Sequence, residues 1–591
     1  MKTKEAIQND IIHYANMSWD IRNLNNTHPL VQLMVEEISH ELFLLDNKLK
    51  EIDYSILCKL AMTLAPQVYS YARPSHALLK INLSEKEYKL DRKAGFLLKQ
   101  LPEKIKNMDI PSVSYTPATD VFLQKIKIVC SFYDNMLITT DDSGAFRKTK
   151  HFSKRAASNT VWIGLDADLE INGLKETPFY VEFSHLPDHH EYYSMLSDTK
   201  WHLAGKPLKI KAGFPIAEDA TPNMSEKEVL DFYHDHFVTI DSKLNSDEFK
   251  QEKIPEDLIG IIDVDTLQAI PPLYWIGIDF PANFQNEDLK KISIYSNTLP
   301  VLNRYYNEVE VADQKSEKLV SLSSGFSQEF LNVETISDSA ENVYHLVSKV
   351  SDTGEYRVFP TRRKNMGDSR ILDYLERMVD IIHDERATFA GIDSEKVVHV
   401  LNAISSIQNQ DTQKIEINRL NRSAEVALLS VKAYENTSTM TISYWTTHTG
   451  LLNDIPAGTE LMPNKIPELS KSEIVFLTST CGGRNLYNLE TLKAINSFYL
   501  ISKGRILTKH DILSFCKLEL GEYLEKVDVI HKAVISHKQK EGIIIVMEIQ
   551  VTPKPQYISY FKQKNVFKDL LVRLYQKSPG NFNYRIKLIS N

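Results

Sequence analysis

The sequence predicts an α+β multidomain protein: N-terminal helices, a large mainly-β middle and a C-terminal ferredoxin-like α/β sandwich. Three observations predict it. Apolar residues between 29 and 65 recur at three- and four-residue steps, the period of a helix face. From about residue 76 to 335 the pattern is mainly that of strands. The last hundred or so residues read β-α-β-β-α-β, the order of a split βαβ sandwich.

A chain of 591 residues is long enough for about three or four domains. We place them at 1–75 (N-terminal helical segment), 76–339 (mainly β), 340–475 (mixed α/β) and 476–591 (C-terminal α/β). Hydrophobic content of 42% and charged content of 25% are those of a soluble globular protein. A net charge of −9 does not favour a whole-chain nucleic-acid role. The first residues, MKTKEAIQND, lack the apolar core of a signal peptide. Four cysteines lie far apart with no CxxC spacing, which fits a reducing compartment and no structural zinc.

The first helix follows Pro29, with Leu30, Leu33, Met34, Ile38, Phe43 and Leu45 as its apolar positions. The run Leu42–Leu45 makes it apolar on more than one face, so it needs covering on several sides. We therefore mark Leu30, Leu33 and Leu44 as interface candidates. Asp53 caps a second helix that Pro66 stops.

Strands are expected at His76–Leu83, Val121–Cys130, Thr160–Leu165, Phe179–Phe183 and His202–Ile210. Trp162–Ile163–Gly164–Leu165 and Trp275–Ile276–Gly277–Ile278 are near copies, read as central strands whose glycines allow close crossings. A duplicated fold is the alternative, and the unmatched flanks argue against it. Glu226–Phe237 is a short amphipathic helix, and Asp241–Asp257 a charged loop.

Tyr274–Arg304 is the stretch the chain is organised around. Tyr274–Phe280 reads as a buried strand ended by Pro281, and Ile292, Ile294 and Tyr295 mark a second. Asn297–Pro300 is expected to be a turn leading into Val301–Arg304. Helices at Asp368–Ile382 and from Asp393 to about Gln408 follow, then strands at Glu425–Ala433 and Met440–Tyr444, and a turn at Ile455–Thr459.

In the last domain, Ile501–Leu507 is expected to be a strand or an extended lead-in to the helix. Thr508 caps a helix over Lys509–Leu520, with Gly521 as a left-handed C-terminal residue. Strands Val527–Ser536 and Ile543–Val551, a helix Tyr560–Gln576 and a strand Tyr584–Ile589 complete it. From Ile501 to Asn591 there are 16 Lys+Arg and 8 Asp+Glu, a balance of +8, leaving −17 for residues 1–500. That asymmetry favours docking on an acidic surface. Arg505 and Lys509 are the interface candidates there.

No catalytic, cofactor or metal site assembles from the sequence. His234 and His236 lie about 200° apart on a helix and could share an ion only from an extended segment. Asp188–His189–His190–Glu191 reads as solvated loop or helix residues, and Asp263–Val264–Asp265 as a strand end. Cys481–Gly482–Gly483–Arg484 reads as a tight turn, with no assignable His and acid partner. There is no Walker loop, HExxH or GxSxG.

The order of these parts resembles the TssF family, the baseplate wedge subunits of bacterial type VI secretion systems. The resemblance rests on His28–Pro29–Leu30–Val31, Leu64–Ala65–Pro66 and Arg73–Pro74–Ser75 at the start. It continues in Asn297–Thr298–Leu299–Pro300–Val301–Leu302–Asn303, then Glu329–Phe330–Leu331–Asn332–Val333 and the Ile336–Ser339 turn. Arg304 and two tyrosines stand where the common family form often has Phe and Glu-Lys. Gly504–Asp511 with Phe515 resembles the helix entry of J-type wedge proteins of contractile phages, which makes 476–591 a baseplate-J-like domain.

The resemblance implies a structural protein with no enzymatic activity and no cofactor. Its implied partners are a second copy of itself, a TssG-like wedge subunit, a TssE-like sheath initiator, a TssK-like adaptor and the spike protein. Its implied place is the cytoplasm, at the face of the inner membrane, through the baseplate and the inner-membrane complex. A wedge protein of an extracellular contractile particle and a β-rich hydrolase are the alternatives. The hydrolase would need two carboxylates about 5–10 Å apart in a cleft, and no pair is nominated.

Overall fold

The computed structural model describes residues 4–19, 34–43, 45, 72–360, 424–484 and 498–589. Within these it omits 107–109, 141–146, 157–158, 168–173, 184–188, 217–220, 243–250, 264–265, 267, 269, 282–283, 285–288, 291, 313–317, 326, 341, 348–349, 351, 435–438, 522, 536–541, 562–563 and 580–581. It is a mixed α+β structure with mostly β content and a few short helices. The helices expected at Asp53–Pro66, Asp368–Ile382 and Asp393–Gln408 lie outside the described residues, as do Leu30, Leu33 and Leu44.

The Tyr274–Arg304 stretch threads three sheets in succession. Tyr274–Asp279 enters a seven-stranded sheet ordered Lys206–Pro207, Lys200–Leu203, Tyr274–Asp279, Thr160–Ala167, Ile126–Tyr133, Met136–Thr140, Arg147–His151. Ser293–Ser296 is the last strand of a four-stranded sheet with Thr177–Glu182, Phe237–Ile240 and Ile210–Ala212. Thr298–Asn303 is central in a six-stranded sheet, between Ser114–Pro117 and His76–Asn82. The switch between sheets is made at Asn297, whose φ of 49° is left-handed. Asn tolerates that conformation better than most residues. Its side chain donates to the Gln124 carbonyl at 2.7 Å, which ties the corner down. The expected turn over Asn297–Pro300 is thus confined to one residue. Leu299 and Pro300 belong to the strand, where they pair with Leu79 and Leu78.

The seven- and four-stranded sheets pack as a sandwich. Ile163, Ile276 and Ile278 from one and Phe179, Val181 and Ile240 from the other meet in its core. The near-identical Trp-Ile-Gly-Ile phrases pair with each other: Trp162 lies opposite Gly277, and Trp275 opposite Gly164. Each indole therefore has a glycine across the ladder. A Cβ on Gly277 would come within 2.2 Å of the His202 ring, and one on Gly164 within 2.8 Å of the Cys130 Sγ. The expected strand His202–Ile210 is in fact three short ones, because Ala204 (φ 47°) and Gly205 (φ 74°) form a tight hairpin turn. Val121–Cys130 is likewise split into Val121–Gln124 and Ile126–Tyr133.

The helix Met224–Tyr233 covers the six-stranded sheet with Val229, Leu230, Phe232 and Tyr233. A capping box between Asn223 and Glu226 starts it. Strands on either side of residue 340 share a second sandwich. Tyr305–Ala312 and Glu329–Asp338 flank Thr439–Thr447, while Ala424–Lys432 sits between Lys318–Ser324 and Glu355–Pro360. Leu461–Asn464 and Glu473–Phe476 close the two edges of the six-stranded sheet.

The C-terminal domain has three described strands, Leu524–Ile535, Ile543–Pro553 and Tyr584–Leu588, under the helices Lys509–Leu520 and Lys564–Lys577. Thr508 caps the first helix as expected, accepting from the Asp511 amide at 3.2 Å. Two expectations are corrected here. Of the strand or extended lead-in expected at Ile501–Leu507, only residues 505–507 lead into the helix without helical structure: Ile501 belongs to a short helical start, and Lys503 and Gly504 turn with positive φ. The four-stranded ferredoxin-like sheet therefore lacks its first strand among the described residues. Gly521 has φ −53°, right-handed, so it does not make the expected left-handed stop.

Candidate functional site

Cys481 lies beside the first residue of the six-stranded sheet, and its backbone exchanges two hydrogen bonds with His76. Its Sγ is 3.8 Å from His76 Nδ1, which also meets the Tyr233 hydroxyl at 3.0 Å. Arg573 reaches His76 Nε2 at 3.1 Å. A guanidinium only donates, so Nε2 accepts, and the proton of a neutral ring sits on Nδ1. His76 therefore has no lone pair to offer the thiol. Burial, then Arg573 and Arg73, lower its pKa well below that of a free histidine.

The thiol is held in the same way. Burial and the nearby Asp569 carboxylate push Cys481 well above its ordinary pKa. Asp569, to which it donates, is raised to about 6, chiefly by burial. A protonated thiol facing a non-basic imidazole has no route to nucleophilic attack. Gly482 explains the motif instead: its φ is 79°, and a Cβ there would lie 2.3 Å from both Arg573 and His76. Cys-Gly-Gly-Arg is the tight turn the sequence suggested.

The turn is one wall of a polar junction between the C-terminal helices and the β body. Glu519 takes two hydrogen bonds from Arg73, at 2.9 and 3.2 Å, and meets Arg484 at 3.5 Å and Arg573 at 4.0 Å. Burial alone would raise its pKa, but these arginines hold it well below the carboxylate range. None of the local sequence patterns pointed to this cluster; Arg73 and Glu519 are 446 residues apart. A second buried ionic group centres on Arg304. It pairs with Glu226 at 2.5 Å, donates to the Pro117 carbonyl at 2.8 Å and stacks 4.1 Å from the Trp445 ring.

Among the described residues the metal candidates do not converge. His236 packs against the Tyr193 ring, centroids 3.7 Å apart, while His234 pairs with Asp235 at 3.1 Å. Asp263 is engaged by Lys150 at 2.7 Å. Among the described residues no three His, Cys, Asp or Glu side chains are grouped as metal ligands.

What the described surface does offer is uncovered apolar residues in ordered rows. Residues 34–43 and 45 are helical. Met34, Ile38, Leu42 and Leu45 are 53%, 47%, 44% and 56% exposed, while Val35 and Ser39 are 9% and 0% exposed. Spacings of four, four and three residues put the exposed four in one stripe. This is the helix that the sequence marked as apolar on more than one face.

The second row is on the C-terminal hairpin. Ile535, paired with Ile543, and Ile545, paired with Ala533, are 80%, 73% and 70% exposed. The Tyr584–Leu588 strand pairs only with Met547–Val551, so the hairpin runs on beyond it. The consecutive isoleucines 543–545 were the sequence signal for this row. Of the two basic candidates, Arg505 is exposed and Lys509 pairs with Asp528 at 3.2 Å. No helix among the described residues is long and apolar enough to cross a membrane.

No protein-family model matches the chain, and no curated protein does. Among solved structures, a chain of the "type VI secretion system TssK-TssF-TssG baseplate subcomplex" is 10% identical, with 95% of this chain and 96% of that chain covered and a TM-score of 0.40. A chain of "the baseplate complex from the type VI secretion system" is 11% identical, with 99% of this chain and 96% of that chain covered and a TM-score of 0.33. At these scores neither likeness establishes a common fold.

Proposed function

We propose that the chain is a structural baseplate wedge subunit of TssF type in a bacterial contractile secretion apparatus, and that it works through interfaces without chemistry of its own. The reading draws its family assignment from the ordered motifs at 28–75, 297–339 and 504–515. The observation that carries the interface role is the exposed Met34–Ile38–Leu42–Leu45 stripe, which lies within the first of those motif regions. A lone solvated helix has no use for four large apolar side chains on one face, whereas a helix awaiting partner helices does. The partners proposed are a second copy and a TssG-like subunit, with TssE-like, TssK-like and spike proteins completing the wedge. The site of action proposed is the cytoplasmic face of the inner membrane, on the inner-membrane complex, with no nucleic acid involved.

The test is co-expression with a TssG-like wedge subunit, followed by purification and mass measurement of the complex. A fixed-ratio assembly containing more than one copy of this chain is the expected result. A chain that stays alone at all concentrations overturns the reading. So does a turnover abolished by changing Cys481 or His234, or a tightly held stoichiometric metal found by elemental analysis.

A further inference from the structure

The C-terminal sheet ends in a long strand whose edge reads as complementary to itself. Leu524–Ile535 is the outermost strand, and among the described residues no strand pairs with its outer side. Only Leu524 and Val529 of its twelve residues are buried. Val529, with Ile549 and Val551 on the neighbouring strand, faces the core under the helices. Odd-numbered residues of the strand therefore share the helix side, and even-numbered ones the open side. The Val529 amide donates to the carboxylate of Asp528 at 2.7 Å. An amide taken up by an adjoining side chain is not spent on the ladder to Ile543–Pro553, so it points to the outer edge. The other odd residues direct their backbone groups the same way.

On the open side Asp528, Ile530 and Lys532 follow one another. Ile530 is 36% exposed, and the side chains of Asp528 and Lys532 are 48% and 46% exposed. Lys509 meets Asp528 at 3.2 Å, and Glu548 meets Lys532 at 3.1 Å, so each charge is engaged from its own sheet and still faces solvent. A two-fold axis through Ile530, normal to the sheet, lays a second copy of the strand antiparallel to the first. Ile530 then stands opposite its own counterpart, and Asp528 opposite Lys532 on both sides of it. Val529 and His531 fall opposite each other with their backbone groups directed inward, as a hydrogen-bonded pair requires. The neighbouring registers lack this match. An axis at Val529 sets Lys526 against Lys532, and one at Asp528 sets that carboxylate against itself; like charges directly opposite are destabilising. An axis at His531 sets Asp528 against Val534 and pairs no opposite charges.

We propose that two copies of this chain join antiparallel through residues 526–534, centred on Ile530, so that their C-terminal sheets become one. An unpaired strand edge presents backbone donors and acceptors spaced for another strand, and the charge order selects a second copy as that strand. In this arrangement the tip of each hairpin runs past the base of the other, on the side where Lys509–Leu520 packs. The exposed Ile535, Ile543 and Ile545 share that side and gain a covering that the single chain does not give them. The proposal rests on the assembly reading, which already calls for a second copy, and names the surface where the copies meet.

Ile530→Cys in the full chain is the first probe. Cα atoms of a non-hydrogen-bonded antiparallel pair lie about 4.5 Å apart, within disulfide reach. Mild oxidation is expected to yield a disulfide-linked dimer. Asp528→Cys is the register control: its counterpart lies about 14 Å away along the strand, so it should cross-link no more than the unaltered chain. Sedimentation equilibrium should show monomer and dimer in exchange. Lys532→Asp should weaken the dimer about tenfold or more, and adding Asp528→Lys should restore it, because opposite charges then face each other in exchanged order. The cross-link decides the matter alone if Lys532→Asp unfolds the chain. Equal cross-linking at 528 and 530, a chain monomeric up to about 100 µM, or a double variant no tighter than the single overturns the proposal. Co-expression with a TssG-like subunit separates the two failures. A fixed-ratio complex holding two copies without the 530 cross-link overturns this edge and keeps the assembly reading; absence of the complex overturns both.

Discussion

Arg304 and Glu226 form an ion pair 2.5 Å long in which both side chains are fully buried. Glu226 is also the third residue of its helix and completes the capping box with Asn223. Glu226→Gln keeps the cap, since glutamine serves there too, and removes only the charge. The buried guanidinium then keeps only the field of Glu334 in place of its direct partner, at a cost of up to about 3–5 kcal/mol. Urea unfolding should show this loss. Adding Arg304→Met should restore part of it, because the stranded charge is gone. Singles that simply add in the double variant would show that the pair is not coupled.

The His76–Asp569 cluster should show two opposing pH effects. His76 has a lowered pKa when folded, so below about 6.5 the unfolded chain binds a proton that the folded one refuses. Its contribution is lost as pH falls, at up to about 1.4 kcal/mol per pH unit. Asp569, raised to about 6, does the reverse. Between its folded value and an unfolded value of about 3.9 the folded state holds the extra proton, so stability rises as pH falls. His76→Gln should therefore make the chain more resistant to mild acid than the wild type, and Asp569→Asn less so. Urea midpoints at about pH 7, 6 and 5 would read both slopes. Parallel curves for all three proteins would rule the cluster out as a source of pH dependence.

The repeated Trp-Ile-Gly-Ile phrase allows a steric test. Gly277→Ala places a methyl within 2.2 Å of the His202 ring, inside a central strand pair. Overpacking of this kind costs about 1–3 kcal/mol. Pairing His202→Ala with Gly277→Ala should return most of the loss by making room. If the double variant is no better than the single, the glycine is needed for its backbone and not for the space above it.

This phrase also shows how far the sequence could be read. Trp162, Gly164, Trp275 and Gly277 were legible as central strands with close crossings, because the cause is local: large residues and glycines alternate along a strand. The Thr508 cap and the Met224–Tyr233 helix were legible for the same reason. Of Ile501–Leu507 only the lead-in at 505–507 was legible, because the positive φ of Lys503 and Gly504 leaves no mark in hydrophobic spacing. Which strands pair was not legible at all. His76 meets Cys481 across 405 residues, and no periodic pattern records a contact of that separation. The candidate interface was half legible: excess apolar character on the 34–45 helix could be seen, but not which face stayed uncovered.

The exposed stripe on that helix makes Ile38→Asp informative. Ile38 is 47% exposed in the isolated chain, so the change should alter its melting temperature little. In a complex the same aspartate would sit among buried apolar side chains, and binding to a TssG-like subunit should fall at least about tenfold. A variant that unfolds in isolation would place Ile38 in the subunit's own core, and one that binds normally would move the interface elsewhere.

Glu519 is the charge on which the C-terminal domain is seated. It lies on the Lys509–Leu520 helix, while Arg73 precedes the first strand of the β body and Arg484 follows the Cys481 turn. Residues 501–591 carry a net +8 against −17 for residues 1–500, yet the Glu519–Arg73 pair runs the other way, from a carboxylate of that segment to an arginine of the β body. Glu519→Gln leaves Arg73, Arg484 and Arg573 gathered around a neutral amide, at a cost of about 3–5 kcal/mol. Because the three cations are only 11–19% exposed and Glu519 is 10% exposed, added salt should recover little of this loss. The carboxylate's depressed pKa fixes the pH window. Its contribution is complete above the unfolded value of about 4.3 and is lost as pH falls from there toward the lower folded value. Hydrogen exchange is the measurement that separates seating from global stability. In Glu519→Gln at neutral pH the 509–520 and 564–577 helices should exchange faster, while the six-stranded sheet at 76–82 and 298–303 keeps its protection. Uniform acceleration across the chain would mean that Glu519 supports the whole fold and that the domain does not move as a unit.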